Sequence, residues 1–277
     1  MLRFLDGHYF ALPLAYRVLI ALAALAIIGL WAWWKRQLTL SGLAAAIVMG
    51  LASTLAGGFT ALSLYLFFLL SAAIIGKLSR RIRGLEKIHK KGGRRDWIQV
   101  LANGAPAMLA IIIAHYEGSV LFPVVFAACL GEACGDTWAS EIGVLSRKDP
   151  VSILTFTKVP RGLSGGVSLL GTLSAFLCCL LYGIFAFSSW SGASLALALC
   201  ATLSAFAGVI LDSFLGATIQ AHYYDEKEDS FTEHSRDREG RALKLARGIR
   251  FLDNDMVNLM SNAASFLLCM SLGSLFV

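Results

Sequence analysis

Three stretches of this 277-residue chain place carboxylates inside otherwise apolar sequence. Glu132, Asp136 and Glu141 fall in GEACGDTWASE, Asp212 in LDSFLGA, and Asp255 in DNDMVNLMSN, which continues through Asn258 and Asn262. Asn103 lies in a fourth apolar run, seven residues after Asp96. Ionisable groups in such segments are costly and usually face a polar cavity. Several carboxylates in low dielectric cannot all stay ionised without a cation. An oxygen-only donor set suits Mg²⁺, which commonly bridges one or two carboxylates to substrate phosphates. Asp136, Asp212, Asp255, Glu132 and Glu141 are therefore the candidate metal ligands. The plainer reading pairs these groups with helix-packing partners or with Arg94 and Arg161; three aspartates on three helices at similar depth weigh against it.

Spacing sorts these residues onto faces. Asp255, Asn258 and Asn262 recur at i, i+3 and i+7, and Glu132 and Asp136 at i, i+4, so each set shares one side of a helix. Asp136 and Glu141, five apart, do not align on a regular helix, which implies either an irregularity near Gly135 or a separate duty for Glu141. Two basic, glycine-rich runs flank the acids: Lys91, Gly92, Gly93 and Arg94 before the Asn103 helix, and Lys158, Arg161, Ser164, Gly165 and Gly166 at the entrance to the apolar run 163–187. Glycines let backbone N–H groups approach an anion, and a helix N-terminus or a Lys or Arg neutralises it. Positive-inside loops have the same composition, so phosphate binding is one of two readings here. No G-x-x-x-x-G-K-[ST] sequence exists, which excludes a soluble-type P-loop.

The elements that must position these groups are membrane spans. The chain is 57% hydrophobic and 15% charged, with mean hydropathy +0.69. A soluble domain carries about a quarter charged residues, so an ordinary soluble enzyme is excluded. Uncharged or nearly uncharged runs at 14–34, 40–56, 59–76, 97–115, 119–145, 163–187, 191–220 and 251–276 predict about eight transmembrane helices in a single all-α, polytopic domain, 1–277. The formal charge of +6 does not point to nucleic acid, because the basic residues sit in blocks between these runs. Of 24 Lys and Arg, 22 fall in the loops after the first, third, fifth and seventh spans. By the positive-inside rule, segments 77–96, 147–162 and 221–250 are cytoplasmic and both termini lie outside. The predicted site then faces the cytoplasm, within the inner leaflet. Segment 221–250 mixes both charge signs, as a solvated loop or a lid over a nucleotide would. The six cysteines lie in apolar stretches without a C-x-x-C pair, as small core residues do. Similar glycine-to-aspartate separations, Gly93 to Asp136 and Gly166 to Asp212, suggest a parallel internal repeat.

The motifs KGGRRDWIQVLANG, GDTWASEIGVLS, PRGLSGGVSLLGT, LDSFLGATIQ and DNDMVNLMSN, in this order, resemble an integral membrane family that includes plant plastid phytyl-phosphate kinase. The resemblance spans about residues 90–262 and, in helix plan, most of the chain. The family is distantly similar to CTP-dependent polyprenol kinases and phosphatidate cytidylyltransferases. The resemblance implies Mg²⁺-dependent phosphoryl transfer from a nucleoside triphosphate, CTP or ATP, to an isoprenyl monophosphate lipid in a bacterial or archaeal plasma membrane. Asp136, Asp212 and Asp255 match acidic positions near metal, and Arg94, Lys158 and Arg161 match the basic entrances. Asp136, Asp212, Asp255, Lys158 and Arg161 are thus the candidate catalytic set; Lys91, Gly92, Gly93, Arg94, Asn103, Ser164, Gly165, Gly166 and Asn258 are the candidate nucleotide and phosphate contacts.

The residues themselves fit this chemistry. Phosphoryl transfer is mostly positioning and charge neutralisation. A phosphate acceptor is already an anionic nucleophile, whereas an alcohol acceptor would need a base, for which Asp136 is placed. Two alternatives use the same residues: a CTP-dependent lipid cytidylyltransferase, and a cation- or proton-coupled transporter built on membrane-embedded carboxylates.

Overall fold

The computed structural model describes residues 1–83, 94–237 and 239–277. The candidate anion contacts Lys91, Gly92 and Gly93 lie outside the described residues. The chain runs through α1 (Leu2–Ala11), α2 (Leu14–Trp34), α3 (Leu40–Arg83), α4 (Trp97–Glu117) and α5 (Leu121–Gly143). It continues through α6 (Leu169–Ser189), α7 (Leu195–Thr218) and α8 (Asn254–Gly273). Among the described residues six helices are long and apolar enough to cross a membrane: α2, α3, α4, α6, α7, and α8 with its terminal turn. The protein is a polytopic helical membrane protein. The expected eight spans differ from these six in two places. Segments 40–56 and 59–76 fall within α3, and α5, which carries Glu132, Asp136 and Glu141, is not in that set.

The chain reverses inside α3. Gly58 has φ 67° and ψ −159°, a left-handed conformation that glycine adopts without a Cβ penalty. Ser53 and Tyr65, about 18 Å apart on a straight helix, bring their hydroxyls within 3.2 Å. Two N-terminal side chains pin this turn. Asp6 accepts from the backbone of Phe59 at 2.6 Å and Thr60 at 3.3 Å, where the second half of α3 begins. Arg17 donates to the Leu55 carbonyl at 2.6 Å, where the first half ends. Each charge complements the helix-end dipole it meets. The short helix α1, which ends before Pro13, was not expected from hydropathy; it carries Asp6 to this turn.

Helix α5 is the axis of the bundle. It is buried from Val124 to Gly135, packs against α3, α4, α6, α7 and α8, and anchors the main apolar core. Small residues set these contacts: a Cβ at Gly131 would lie 3.1 Å from Tyr182, and one at Gly208 of α7 would lie 2.6 Å from Glu132 Cγ. In membranes close backbone approach of this kind drives helix association. All six cysteines are buried and free.

Two of the loops fold. Val151–Ser152 (β1) pairs with Gly166–Val167 (β2), so α6 starts at Leu169 rather than at residue 163. Gly165 (φ 83°) makes the turn possible and lies flat on Ala217, where a Cβ would come within 2.5 Å of the Ala217 Cβ. Segment 221–250, expected as a loop, contains an antiparallel sheet of β3 (His222–Asp225), β4 (Ser230–Thr232) and β5 (Lys244–Arg247), in the order β4-β3-β5.

Candidate functional site

The acidic residues gather where α5, α7 and α8 meet. Ser261 Oγ of α8 lies 2.8 Å from Glu132 Oε1 and 3.2 Å from Asp212 Oδ2, and so joins the α5 and α7 carboxylates. Asn262 Nδ2 donates to Glu132 Oε2 at 2.6 Å and to the Cys129 carbonyl at 2.8 Å. Asn258, with its amide oriented to satisfy both neighbours, donates to Asp212 Oδ2 at 3.0 Å and to the Asn254 carbonyl at 3.2 Å. The i, i+3, i+7 face of α8 thus meets acids on two other helices, with Asp255 buried at its start. Asp136 lies one turn from Glu132 along α5, about 10 Å from the helix end at Gly143.

Charge coupling extends the cluster. Asp212 interacts electrostatically with Asp136, Glu132 and Glu233, and Asp136 with Arg95 and Glu233. Arg95 is the basic member of this group. Its guanidinium donates to Thr137 Oγ1 at 3.3 Å, stacks 4.9 Å above the Phe68 ring and interacts with Glu141 and Asp136. Burial lowers its pKa from the usual arginine range, and the two carboxylates act in the opposite sense; a guanidinium stays protonated regardless. Its backbone is fixed by hydrogen bonds from Arg95 N to the Gln37 carbonyl (2.8 Å) and from Thr39 N to the Arg95 carbonyl (3.0 Å). The sequence reading chose Arg94, which is exposed, rather than Arg95.

Glu233 was also missed. It follows β4 and accepts a hydrogen bond from Ser164 Oγ, which in turn accepts from Gln220 Nε2 at 3.1 Å. The sheet is thereby tied to the Ser164-Gly165-Gly166 turn, and its carboxylate is coupled to Asp136 and Asp212.

Other expected residues sit differently. Arg161 Nη1 donates to the Ser146 carbonyl at 2.9 Å, and Arg161 and Lys158 both contact Asp149, at 3.3 and 3.6 Å. Those described contacts hold the loop that follows α5. Asn103 Nδ2 donates to the Gln99 carbonyl of its own helix at 2.9 Å. Helix α5 is continuous from Asp136 to Glu141, and the two acids are related through Arg95 rather than through a break at Gly135. The two helix N-termini expected to receive anions carry side-chain caps, Asp96 on α4 in a capping box with Gln99 and Ser168 on α6, and Asp253 caps α8 as well. An aspartate at such an end satisfies the orphan N–H groups and disfavours a phosphate there.

Among the described residues no group of three or more Asp, Glu, His or Cys is arranged to hold a metal by itself. Glu132 has both oxygens engaged by Ser261 and Asn262, a bound structural role. The hydrogen bonds to Asp212 both fall on Oδ2. Asp136 and Asp212 therefore fit Mg²⁺ held by one or two carboxylates and completed by substrate phosphate and water, and do not fit an all-protein cage.

Comparison with known proteins agrees with the motif resemblance. The family described as integral membrane protein DUF92 matches residues 23–266. Protein PGR of Arabidopsis thaliana is 32% identical over 89% of this chain and 92% of its own length. An uncharacterized membrane protein of Methanocaldococcus jannaschii is 31% identical over 74% of this chain and 84% of its own. Protein VTE6, chloroplastic, of Arabidopsis thaliana is 32% identical over 50% of this chain and 44% of its own. No solved structure matches.

Proposed function

From the premise that this chain belongs to the DUF92 integral membrane family, we propose that it is a membrane-embedded prenyl-phosphate kinase. It transfers a phosphoryl group from a nucleoside triphosphate, preferably CTP, to an isoprenyl monophosphate. The observation that carries this reading is the meeting of α5 and α7 carboxylates on Ser261 of α8, with Asp136 one turn along α5 and the Arg95 guanidinium on its neighbour Thr137. The similarity to VTE6 over half the chain, and the motif resemblance to phytyl-phosphate kinase, support the same class.

Asp136 and Asp212 would hold Mg²⁺, which when bound neutralises the transferring phosphates. Ser261 and Asn258 orient the Asp212 carboxylate, so its Oδ1 edge is the one available to a ligand sphere. Arg95 supplies fixed positive charge beside Asp136, held by the backbone bonds to Gln37 and Thr39. The sheet docked through Glu233 and Ser164 covers the nucleotide. The acceptor phosphate oxygen attacks the terminal phosphorus of the nucleotide, the bond to the bridging oxygen breaks, and nucleoside diphosphate leaves. The acceptor is anionic before it binds, so no general base is assigned. The distribution of basic residues supports a site that faces the cytoplasm.

Purified protein given prenyl phosphate, Mg²⁺ and CTP or ATP is expected to yield prenyl diphosphate and nucleoside diphosphate, identified by mass spectrometry. Asp136→Asn is expected to lower turnover at least about a hundredfold with an unchanged thermal unfolding midpoint. Pyrophosphate release with a CDP-lipid product would assign nucleotidyl transfer instead. Nucleotide-independent flux in proteoliposomes would assign transport.

A further inference from the structure

An apolar cavity of about 120 Å³ lies between α2, both halves of α3, and α4. It is separate from the α5, α7 and α8 cluster, and no step above uses it. Its wall is largely apolar, and glycines 29, 50 and 104 line it where they receive the side-chain ends of Leu43, Leu25 and Met49. Arg95, just before α4, and Gln99 and Asn103 on α4 bring polar side chains to one end; the other polar group in the lining is the Tyr65 hydroxyl, within 3.2 Å of the Ser53 hydroxyl. The deepest positions on the helices are Gly104, Gly50, Leu62 and Leu25. From Trp97 to Gly104 the helix rises about 10 Å, so the cavity runs about 10 Å inward from Arg95.

Arg95 belongs to both places. It lines the cavity mouth, and it also donates to Thr137, the residue next to Asp136. A ligand that fills the cavity while its head meets Arg95 must be apolar along one end and anionic at the other, and it presents that anion to the carboxylate cluster. We propose that this cavity holds the first isoprene units of the acceptor lipid, with its phosphate on Arg95 and the remaining chain leaving between helices into the bilayer. The occupant is a prenyl phosphate because the mouth offers a guanidinium and two amide side chains, while the rest of the described lining carries no second charged group and its Tyr65 hydroxyl meets Ser53. The assignment of a prenyl chain rests on the kinase reading; the location does not. Asn103 lines this mouth, its amide nitrogen held by the Gln99 carbonyl.

Two measurements test this. In the first, a prenyl phosphate carrying a diazirine on its first isoprene unit is irradiated with full-length wild-type protein in nanodiscs, and the labelled residues are mapped by mass spectrometry. Labels are expected on cavity-facing residues of α2, α3 or α4 and should be suppressed by unlabelled geranyl phosphate. Labels confined to lipid-facing surfaces, labels on α6 and α7, or no competed labels at all would each overturn the cavity assignment. In the second, kcat/KM is compared for acceptors of one to four isoprene units. Gly104→Leu, whose Cβ would meet the mobile end of Met49 at 2.5 Å, should lose about tenfold for acceptors of two or more units. The KM for nucleotide should not change. Equal losses for all chain lengths would remove the cavity from substrate binding. Competed labelling without any phosphoryl transfer would sink the kinase and keep the cavity; phosphoryl transfer with labels elsewhere would do the reverse.

Discussion

Ser261 and Asn262 show how single residues carry the cluster. The Ser261 hydroxyl has one proton and three oxygens within reach: Glu132 Oε1 at 2.8 Å, Asp212 Oδ2 at 3.2 Å and the Asn258 carbonyl at 3.0 Å. Asn262 is buried completely and serves both Glu132 and the Cys129 carbonyl. Asn262→Leu removes both bonds and strands a buried carboxylate; each lost partner costs about 1–3 kcal/mol. The thermal unfolding midpoint of this variant is expected to fall well below wild type. Glu132→Leu combined with Asn262→Leu should recover part of the loss, because the stranded group is gone; a strictly additive double variant would contradict the pairing. At this scale the sequence was informative about residue type and uninformative about partner. The i, i+3, i+7 pattern of α8 was legible because helix geometry is local. Arg95 was not distinguishable from Arg94, because what turns it inward is its pairing with Gln37 and Thr39, more than fifty residues earlier.

At the scale of elements, the turn inside α3 and the sheet over the site are the features that hydropathy could not resolve. Apolar sequence on both sides of Gly58 reads as two short spans, and the structure joins them as antiparallel halves of one element. Leu40 and Ile74, both exposed, lie 18 and 16 residues from Gly58 and so fall at a similar level of this hairpin. A straight helix would separate them by about 51 Å. Spin labels at these two positions are expected to lie within about two helix diameters, some 20–25 Å, by double electron–electron resonance; a distance near 50 Å would show a single straight helix. The sheet was hidden for a different reason. Segment 221–250 alternates charges rather than apolar and polar residues, so it lacks the period of a buried strand. Its position depends on Ser164 and Gln220, neither of which is a neighbour in sequence of Glu233.

For the whole molecule, the helical plan and the location of its acids were legible because lipid forces apolar composition onto spans and leaves exceptions conspicuous. The proposed sidedness can be checked with the same simplicity. The six native cysteines are buried, so background labelling is low. A cysteine replacing exposed Asp149 should react with an impermeant maleimide only from the cytoplasmic side, and one replacing exposed Glu117 only from the other. Labelling of both from one side would refute the arrangement. The contacts also differ in when they become available during synthesis. Asp6 and Arg17 meet residues 55–60, so the α3 turn can close once about sixty residues have been made. Glu132 waits much longer, because its donors Ser261 and Asn262 are about 130 residues downstream, in the last helix. Until α8 inserts, the growing protein holds a carboxylate in the bilayer without these two donors. Insertion of α8 is thus the step that supplies both donors, and a chain arrested before α8 would hold Glu132 in the bilayer without them.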